Sequence, residues 1–295
     1  MAAVEPEDGI GDVSTVASFA GRCAVGRIAL TTAALLVAGE LRAHDFWIEP
    51  STFHPAPGAT VAVGLRVGEN FVGDPVPRSS HLIDQFVVRQ GGNDRPIVGF
   101  ENIDPAGWFR ADGHSTAVIA YSSLATFVEL PAARFEEYLR QEGLERIIDI
   151  RAERGDRAKP GREHFYRYAK ALLSGERTSV AATQPMGLPY EIVPDEDPTV
   201  GSAAFRGRVL HRGEPLAAAL VVAMSRSDPS VRLAARSDGH GAFSFVLPRA
   251  GVWLIKSVHL VKASMFSRAD WDSLWASLTF ESPEAQAPPR ARSSR

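Results

Sequence analysis

Histidine is the residue type in this chain whose placement most directly suggests chemistry. The chain has eight histidines, and one of them, His44, follows a segment typical of a cleaved export signal. Cleavage after Ala43 would make His44 the first residue, with a free amine and an imidazole that can bind one metal ion together. Nitrogen ligands of this kind suit Ni²⁺ and Cu²⁺ in tetragonal geometry. The sequence therefore predicts a metal site at the new N-terminus.

The remaining ligands of such a site must come from elsewhere in the chain. His259 is the first candidate, because apolar residues flank it and alternation along a strand turns it to the opposite face from them. His114, on a turn that enters a strand, is the second candidate, and Asp45 or Glu49 could add an oxygen ligand. The alternative interpretation is that His44 is a flexible first residue and His259 a hydrogen-bonded histidine of a sheet.

Residues 22–43 have the pattern of a secretory signal peptide. Arg22 and Arg27 supply positive charge, residues 28–38 form an uncharged stretch of eleven, and a polar segment ends at a small residue. A transmembrane helix needs roughly 20 apolar residues, so an uncleaved anchor is the less favoured alternative. We expect residues 1–43 to be a signal peptide with an N-terminal extension. The mature protein is then periplasmic or secreted, with no membrane span.

Composition excludes several classes of function. The only cysteine, Cys23, lies in the predicted signal peptide, so the mature chain can form no disulfide, thiolate metal site or cysteine nucleophile. Over the whole sequence, 32 Lys and Arg nearly balance 35 Asp and Glu, which argues against a nucleic-acid partner. Motifs of serine hydrolases, zinc peptidases and phosphate-binding loops are absent from the sequence. We therefore expect no enzymatic activity.

The first part of the mature chain has the pattern of a β-sandwich with a helical insertion. Residues 60–67 alternate between apolar and small or polar side chains, and turn-forming clusters such as 91–94 separate similar runs. Further on, aromatic and aliphatic residues recur at helical spacing up to Gly143, and residues 164–173 have the pattern of a second amphipathic helix. We predict an N-terminal sandwich domain over 44–198, with helices near 132–174.

The second part has the pattern of a smaller sandwich. Four or more short strands at roughly ten-residue spacing, such as the alternating run 242–247, predict an Ig-like domain over 203–281. The tail 282–295 is rich in Pro, Ala, Arg and Ser and is predicted to be disordered. Several aromatic residues could line a carbohydrate- or peptide-binding face, although a place in the core is the favoured interpretation: these are Phe46, Trp47, Trp253, Trp271 and Trp275.

Several runs of the chain fit one known pattern together. They are residues 44–47, 66–71 with Gly73, 138–144, 167–170, 190–194, 251–254 and 271–280. Together they resemble an exported bacterial family of unknown function, whose members are often labelled nickel-uptake substrate-specific proteins or periplasmic components of cobalt/nickel transport. The resemblance covers nearly all of the mature chain and brings no catalytic residue set with it.

The run 237–245 is separately similar to carboxypeptidase-regulatory or prealbumin-like sandwiches, which usually serve as accessory or adhesion modules. The predicted fold class is therefore mainly β, with two Ig-like or prealbumin-like β-sandwich domains. The predicted function is a non-enzymatic accessory that binds nickel, cobalt or copper and presents it to an inner-membrane transporter or another envelope protein. The alternative is a metal-free structural module, or one that binds a protein or glycan of the cell envelope.

Overall fold

The structure, a computed structural model, describes residues 44–201 and 204–283. These residues form 17 strands, two α-helices and three short 3-10 helices, so the prediction of a mainly-β fold is confirmed. The predicted signal peptide lies outside the described residues, as does the predicted tail apart from its first two residues. No helix in the described part of the chain is long and apolar enough to cross a membrane.

We number the elements along the chain. The strands are β1 Asp45–Pro50, β2 Thr60–Glu69, β3 Val72–Pro75, β4 Ile83–Gln90, β5 Asn93–Pro96, β6 Gly107–Arg110, β7 Ala117–Ser123, β8 Thr126–Leu130, β9 Gly161–Leu173, β10 Tyr190–Pro194, β11 Ala204–His211, β12 Glu214–Pro215, β13 Leu220–Ser225, β14 Arg232–Arg236, β15 Ala242–Val246, β16 Gly251–Lys262 and β17 Trp271–Ser282. The helices α1 Ala132–Gln141 and α2 Glu145–Glu153 lie between β8 and β9.

Three sheets organise these strands. The central sheet has nine strands, in the order β14-β13-β16-β17-β9-β7-β4-β5, with β8 also paired to β9. One outer sheet contains β1-β2-β3 with β6 paired to β2, and the other contains β10-β11-β12 with β15 paired to β11. Within the central sheet β9 and β17 run parallel to each other.

The two outer sheets cover opposite faces of the central sheet. Successive side chains of β9 point to opposite faces. Tyr168 and Leu172 pack with Phe205 of the β10–β12 and β15 sheet, on what we call the front face. Ala169 packs with Val63 of the β1–β3 and β6 sheet, on the back face. The result is a three-layer arrangement in which two sandwiches share their middle sheet.

Both predicted domains contribute to that shared sheet. Segment 44–198 supplies β4, β5, β7, β8 and β9, and segment 203–281 supplies β13, β14, β16 and β17. In the front outer sheet, β10 of the first segment pairs with β11 of the second over five residue pairs. Strand pairing therefore joins the two segments in both the central sheet and the front outer sheet.

The helical region differs in part from its prediction. Helices α1 and α2 do form within the predicted helical region, but residues 164–173, predicted as a helix, lie within β9. The error has a physical cause. Because β9 is central and most of it is covered on both faces, its apolar residues do not alternate with polar ones as in a half-exposed strand.

The helices pack on the back face of the central sheet. Phe135 and Tyr138 of α1 contact Trp271 and Trp275 of β17, and the Tyr138 ring stacks on Trp275 with centroids 5.6 Å apart. The aromatic residues that the sequence assigned to the core are all buried: Phe46, Trp47, Trp253, Trp271 and Trp275. That interpretation is confirmed, and it leaves other aromatic residues to line any binding face.

Candidate functional site

Asp45, one of the predicted metal ligands, is engaged in a buried ion pair. Its Oδ1 lies 2.5 Å from Nζ of Lys256, which also lies 2.8 Å from Oε1 of Glu142. All three side chains are less than a tenth exposed. Burial by itself would lower the pKa of Lys256, but the two carboxylates outweigh that effect and raise it. Asp45 therefore ties β1 to the back face of β16 and is occupied by a fixed cation.

His259, the other main candidate, lies on the opposite side of the sheet. It is three residues beyond Lys256 on β16, so alternation turns it to the front face, where its ring is 5.0 Å from that of His211 and 5.8 Å from that of Tyr190. Burial, and then the neighbouring His211, lower the pKa of His259 to about 4. His259 is therefore neutral at physiological pH.

The predicted ligands do not come together. His114 is more than half exposed and its Nδ1 lies 3.3 Å from Glu176, while Glu49 forms ion pairs with Arg66 and Arg226. His44 directly precedes β1, whose first residue is Asp45. Within residues 44–201 and 204–283, no three His, Cys, Asp or Glu side chains are grouped to hold a metal ion.

A cleft of about 580 Å³ opens on the front face, beside the end of the β10–β12 and β15 sheet. Its floor is made by side chains of three adjacent central strands: Tyr166 and Tyr168 of β9, Asp272 and Leu274 of β17, and Val261 of β16. One wall is the segment 185–189, and the other is the turn that contains His211, Arg212 and Gly213. Small-molecule sites in proteins have volumes of roughly 300–1,000 Å³.

The two tyrosines of the floor are placed by strand geometry. They are two residues apart on β9 and therefore share the front face, with ring centroids 6.4 Å apart and planes within 4° of parallel. The parallel pairing of β9 with β17 sets Leu274 directly beside Tyr166. Tyr168 is buried, whereas Tyr166 is only partly covered. The floor thus offers an aromatic surface open at one end.

The turn that forms one wall follows from its two central residues. Arg212 and Gly213 have φ of 54° and 83°, and they join His211 to its partner Glu214 across a two-residue hairpin. Positive φ at both positions is characteristic of a type I′ turn, which matches the twist of the flanking strands. The tight turn places Arg212 at the rim of the cleft, with its guanidinium available as a donor.

The other wall is fixed by a buried carboxylate. Glu191 accepts hydrogen bonds from the backbone N–H groups of Met186, Gly187 and Leu188, at 2.7, 3.2 and 3.3 Å. It also accepts one from Nζ of Lys170, at 2.6 Å, and both side chains are 2% exposed. Burial lowers the pKa of Lys170, and Glu191 partly offsets that effect. The segment is held in one conformation from inside the protein.

The polar groups of the cleft have mixed chemistry. Burial, followed by the nearby Asp272, raises the pKa of Tyr166, and burial also raises that of Tyr168 well above its ordinary value. Both phenols therefore stay protonated and can donate hydrogen bonds. Burial and then Arg212 lower the pKa of His211, whose Nε2 is buried without a hydrogen-bond partner among the described residues. The cleft combines aromatic surface, hydroxyl donors, an imidazole, one guanidinium and two carboxylates, of which Glu191 is already hydrogen-bonded within the wall and Asp272 lies on the floor.

The sequence did not point to this cleft. Tyr166 and Tyr168 lie in the segment 164–173, for which the sequence predicts a helix. One signal was available, because the alternation of Tyr166, Arg167 and Tyr168 within an aromatic run favours a strand. The contribution of the 185–189 segment depends on contacts across the fold and left no local pattern.

The chain was compared with known proteins at three levels. A family model described as a domain of unknown function, DUF4198, matches residues 41–261. The chain belongs to the DUF4198 family. The expectation of an uncharacterised family is thus confirmed, whereas no named relative supports the nickel-uptake label. A search of curated proteins found no match.

Two solved structures show a low similarity to this DUF4198 protein. One, a tetra-tandem repeat in the extending region of a large adhesion protein, is 10% identical, with a TM-score of 0.21 over 82% of this chain and 50% of its own. The DUF4198 protein thus spans about half of that chain. The other, the D0-D1 domain of intimin, is 11% identical, with a TM-score of 0.19 over 80% of this chain and 97% of its own. Scores this low carry no argument about function.

Proposed function

We propose that this DUF4198 protein is an exported, non-enzymatic recognition module of the cell envelope that binds a glycan in the front-face cleft. The observation that carries the proposal is the pair of parallel rings of Tyr166 and Tyr168 on the cleft floor, with Asp272 and Arg212 close by. Export rests on the signal-peptide pattern of residues 22–43.

The chemistry of a sugar ring complements that of the cleft. A pyranose presents a face of C–H groups, which packs on an aromatic ring, and an edge of hydroxyl groups, which both donate and accept hydrogen bonds. Tyr166 offers the ring, while Asp272 accepts and Arg212 donates. Such a ligand needs no formal charge, because Lys170 already balances the charge of Glu191, and the lining otherwise holds one carboxylate, Asp272, and one guanidinium, Arg212.

Rigidity of the wall favours binding. Glu191 holds the 185–189 segment through three backbone hydrogen bonds, so ligand binding would not have to order that segment. Ordering of loops is one of the main costs of association, and a preformed site avoids it. The cleft could therefore bind a ligand without rearrangement of this wall.

Glycan binding can be tested with the chain expressed from His44 and an array of neutral and N-acetylated di- and trisaccharides. The strongest hit is then titrated by calorimetry. We expect Tyr166→Ala to weaken binding about tenfold, because half of the aromatic floor is lost. Asp272→Asn should weaken it about fivefold, through loss of a charged acceptor.

The matched control is Phe100→Ala. Phe100 is 71% exposed and packs on Trp108 in the back outer sheet, on the other side of the central sheet from the cleft. It removes an exposed aromatic ring without touching the cleft and should bind like the wild type. Equal losses in Phe100→Ala and Tyr166→Ala, or no binding to any glycan of the array, would refute the proposal.

A second candidate function is binding of nickel, cobalt or copper, and it is favoured by the pair formed by His211 and His259. Their rings are 5.0 Å apart, and burial lowers the pKa of both, which keeps the imidazoles in the neutral form that metals require. Calorimetry with each metal chloride should show a stoichiometric site that is lost in His259→Ala. His240→Ala, at an exposed turn, is the control, and His44→Ala tests the predicted terminal site separately.

A further inference from the structure

The hairpin formed by β16 and β17 ends in an exposed apolar tip. Both strands are twelve residues long, and residues 263–270 connect them. At the apex, Met265 and Phe266 are 87% and 93% exposed, the two highest values among the exposed large hydrophobic side chains of the described chain. Two adjacent apolar side chains this exposed form an apolar patch, and such patches are a feature of surfaces that contact a protein or a membrane.

The tip is held in place by contacts at its base. The backbone N–H of Ala263 donates to the carbonyl of Asp270 at 3.1 Å, and that of Ser267 donates to the carbonyl of Ser264 at 2.9 Å. The guanidinium of Arg268 lies over the ring of Phe127, 4.0 Å from its centroid. The exposure of the apex therefore belongs to a structured turn.

Positive charge surrounds the apolar apex. The segment 262–268 contains Lys262 and Arg268 and has no acidic residue. Asp270, just beyond it, forms a two-bond ion pair with Arg162 and so contributes little net charge. An apolar apex with flanking basic side chains complements a bilayer of anionic lipids, whose acyl region accepts the apolar groups while its phosphates attract the cations.

We propose that the hairpin tip inserts Met265 and Phe266 into the surface of an anionic lipid bilayer. Lys262 and Arg268 then lie at the level of the phosphates. Val261 and Asp272, which pair across the hairpin, also line the cleft, so this contact would bring the cleft close to the bilayer. The membrane contact does not depend on what the cleft binds.

Co-sedimentation with vesicles tests the proposal. The chain expressed from His44 is mixed with vesicles of phosphatidylcholine alone, or of phosphatidylcholine with about a third phosphatidylglycerol. We expect binding to the anionic vesicles, reduced in high salt. The double variant Met265→Ser with Phe266→Ser should lower the partition coefficient at least about tenfold. Lys262→Gln should lower it roughly fivefold.

The matched control is the double variant Val180→Ser with Val246→Ser, since these residues are 71% and 73% exposed outside the hairpin. It should partition like the wild type. Phe266→Trp gives an independent readout, because insertion shifts tryptophan emission to the blue only with anionic vesicles. Absence of wild-type binding, equal binding to both vesicle types, or unchanged binding of the Met265 and Phe266 variant would each overturn the proposal.

Discussion

The buried pair of Lys170 and Glu191 supports the wall of the cleft. We expect replacement of Glu191 to lower the free energy of unfolding more than replacement of Lys170 does. Glu191→Leu removes the anion and leaves one ammonium and three backbone N–H groups without their acceptor. Arg89 also lies close enough to act on Lys170, and it lowers the pKa of that ammonium further. An isolated buried charge of this kind costs roughly 3–5 kcal/mol of unfolding free energy.

Lys170→Met is the milder change. Glu191 keeps its three backbone donors and the nearby positive charge of Arg89, so the carboxylate stays solvated by the protein. The expected loss is about 1–3 kcal/mol. The double variant should cost less than the sum of the two single changes, because no unpaired charge remains.

Urea denaturation followed by far-UV circular dichroism measures all three variants. The m-values should stay constant, since the surface exposed on unfolding does not change. A smaller loss of unfolding free energy for Glu191→Leu than for Lys170→Met would show that the backbone donors do not depend on the carboxylate. Strict additivity of the two single changes would show that the pair is not coupled, and the account of the wall would be wrong.

Three other predictions concern stability. Glu163 is buried, and burial raises its pKa to about 7. Because the folded state then binds the proton more tightly than the unfolded state, the free energy of unfolding should fall by on the order of 3 kcal/mol between about pH 4.5 and pH 7. Urea titrations at several pH values should show this slope in the wild type and not in Glu163→Gln. Gly161→Ala would place a Cβ 2.1 Å from Cγ of the buried Phe135. The variant's thermal unfolding midpoint should therefore drop by the equivalent of about 2–3 kcal/mol. A midpoint equal to that of the wild type would contradict the packing of α1 on β9. Gly213→Ala should lower the free energy of unfolding by about 1 kcal/mol in the same melts, because φ at this residue is 83°. Gly239→Ala is the control, since the added Cβ meets no atom within 4 Å. Equal effects of the two variants would argue against the type I′ turn.

The β class of the fold followed from local patterns. Alternation over residues 60–67 and 242–247 corresponds to β2 and β15, because each of these strands has one buried and one more exposed face. Phe135, Tyr138 and Leu139 correctly indicated α1, since only one side of that helix is buried. These elements can be predicted from the sequence because each has one buried and one exposed face, which gives a periodic pattern of apolar and polar residues.

The shared central sheet and the cleft did not follow from such patterns. The pairing of β9 with β17 joins residues about 108 positions apart, such as Glu163 and Trp271, and no local signal encodes it. The same holds for Lys256, whose role depends on Asp45 and Glu142 arriving from distant segments. Asp45 and His259, two of the predicted ligands, lie on opposite sides of the central sheet, and no local pattern indicates how β1 packs on that sheet.

Tyrosine-selective NMR tests the central claim most directly, because the chain has only five tyrosines. Ring ¹³C labelling of the chain expressed from His44, titrated with the best-binding glycan, reports each ring separately. The account predicts shifts confined to Tyr166 and Tyr168, while Tyr121, Tyr138 and Tyr190, which are buried outside the cleft lining, stay unchanged. Saturable glycan binding that leaves the Tyr166 and Tyr168 signals in place would contradict it.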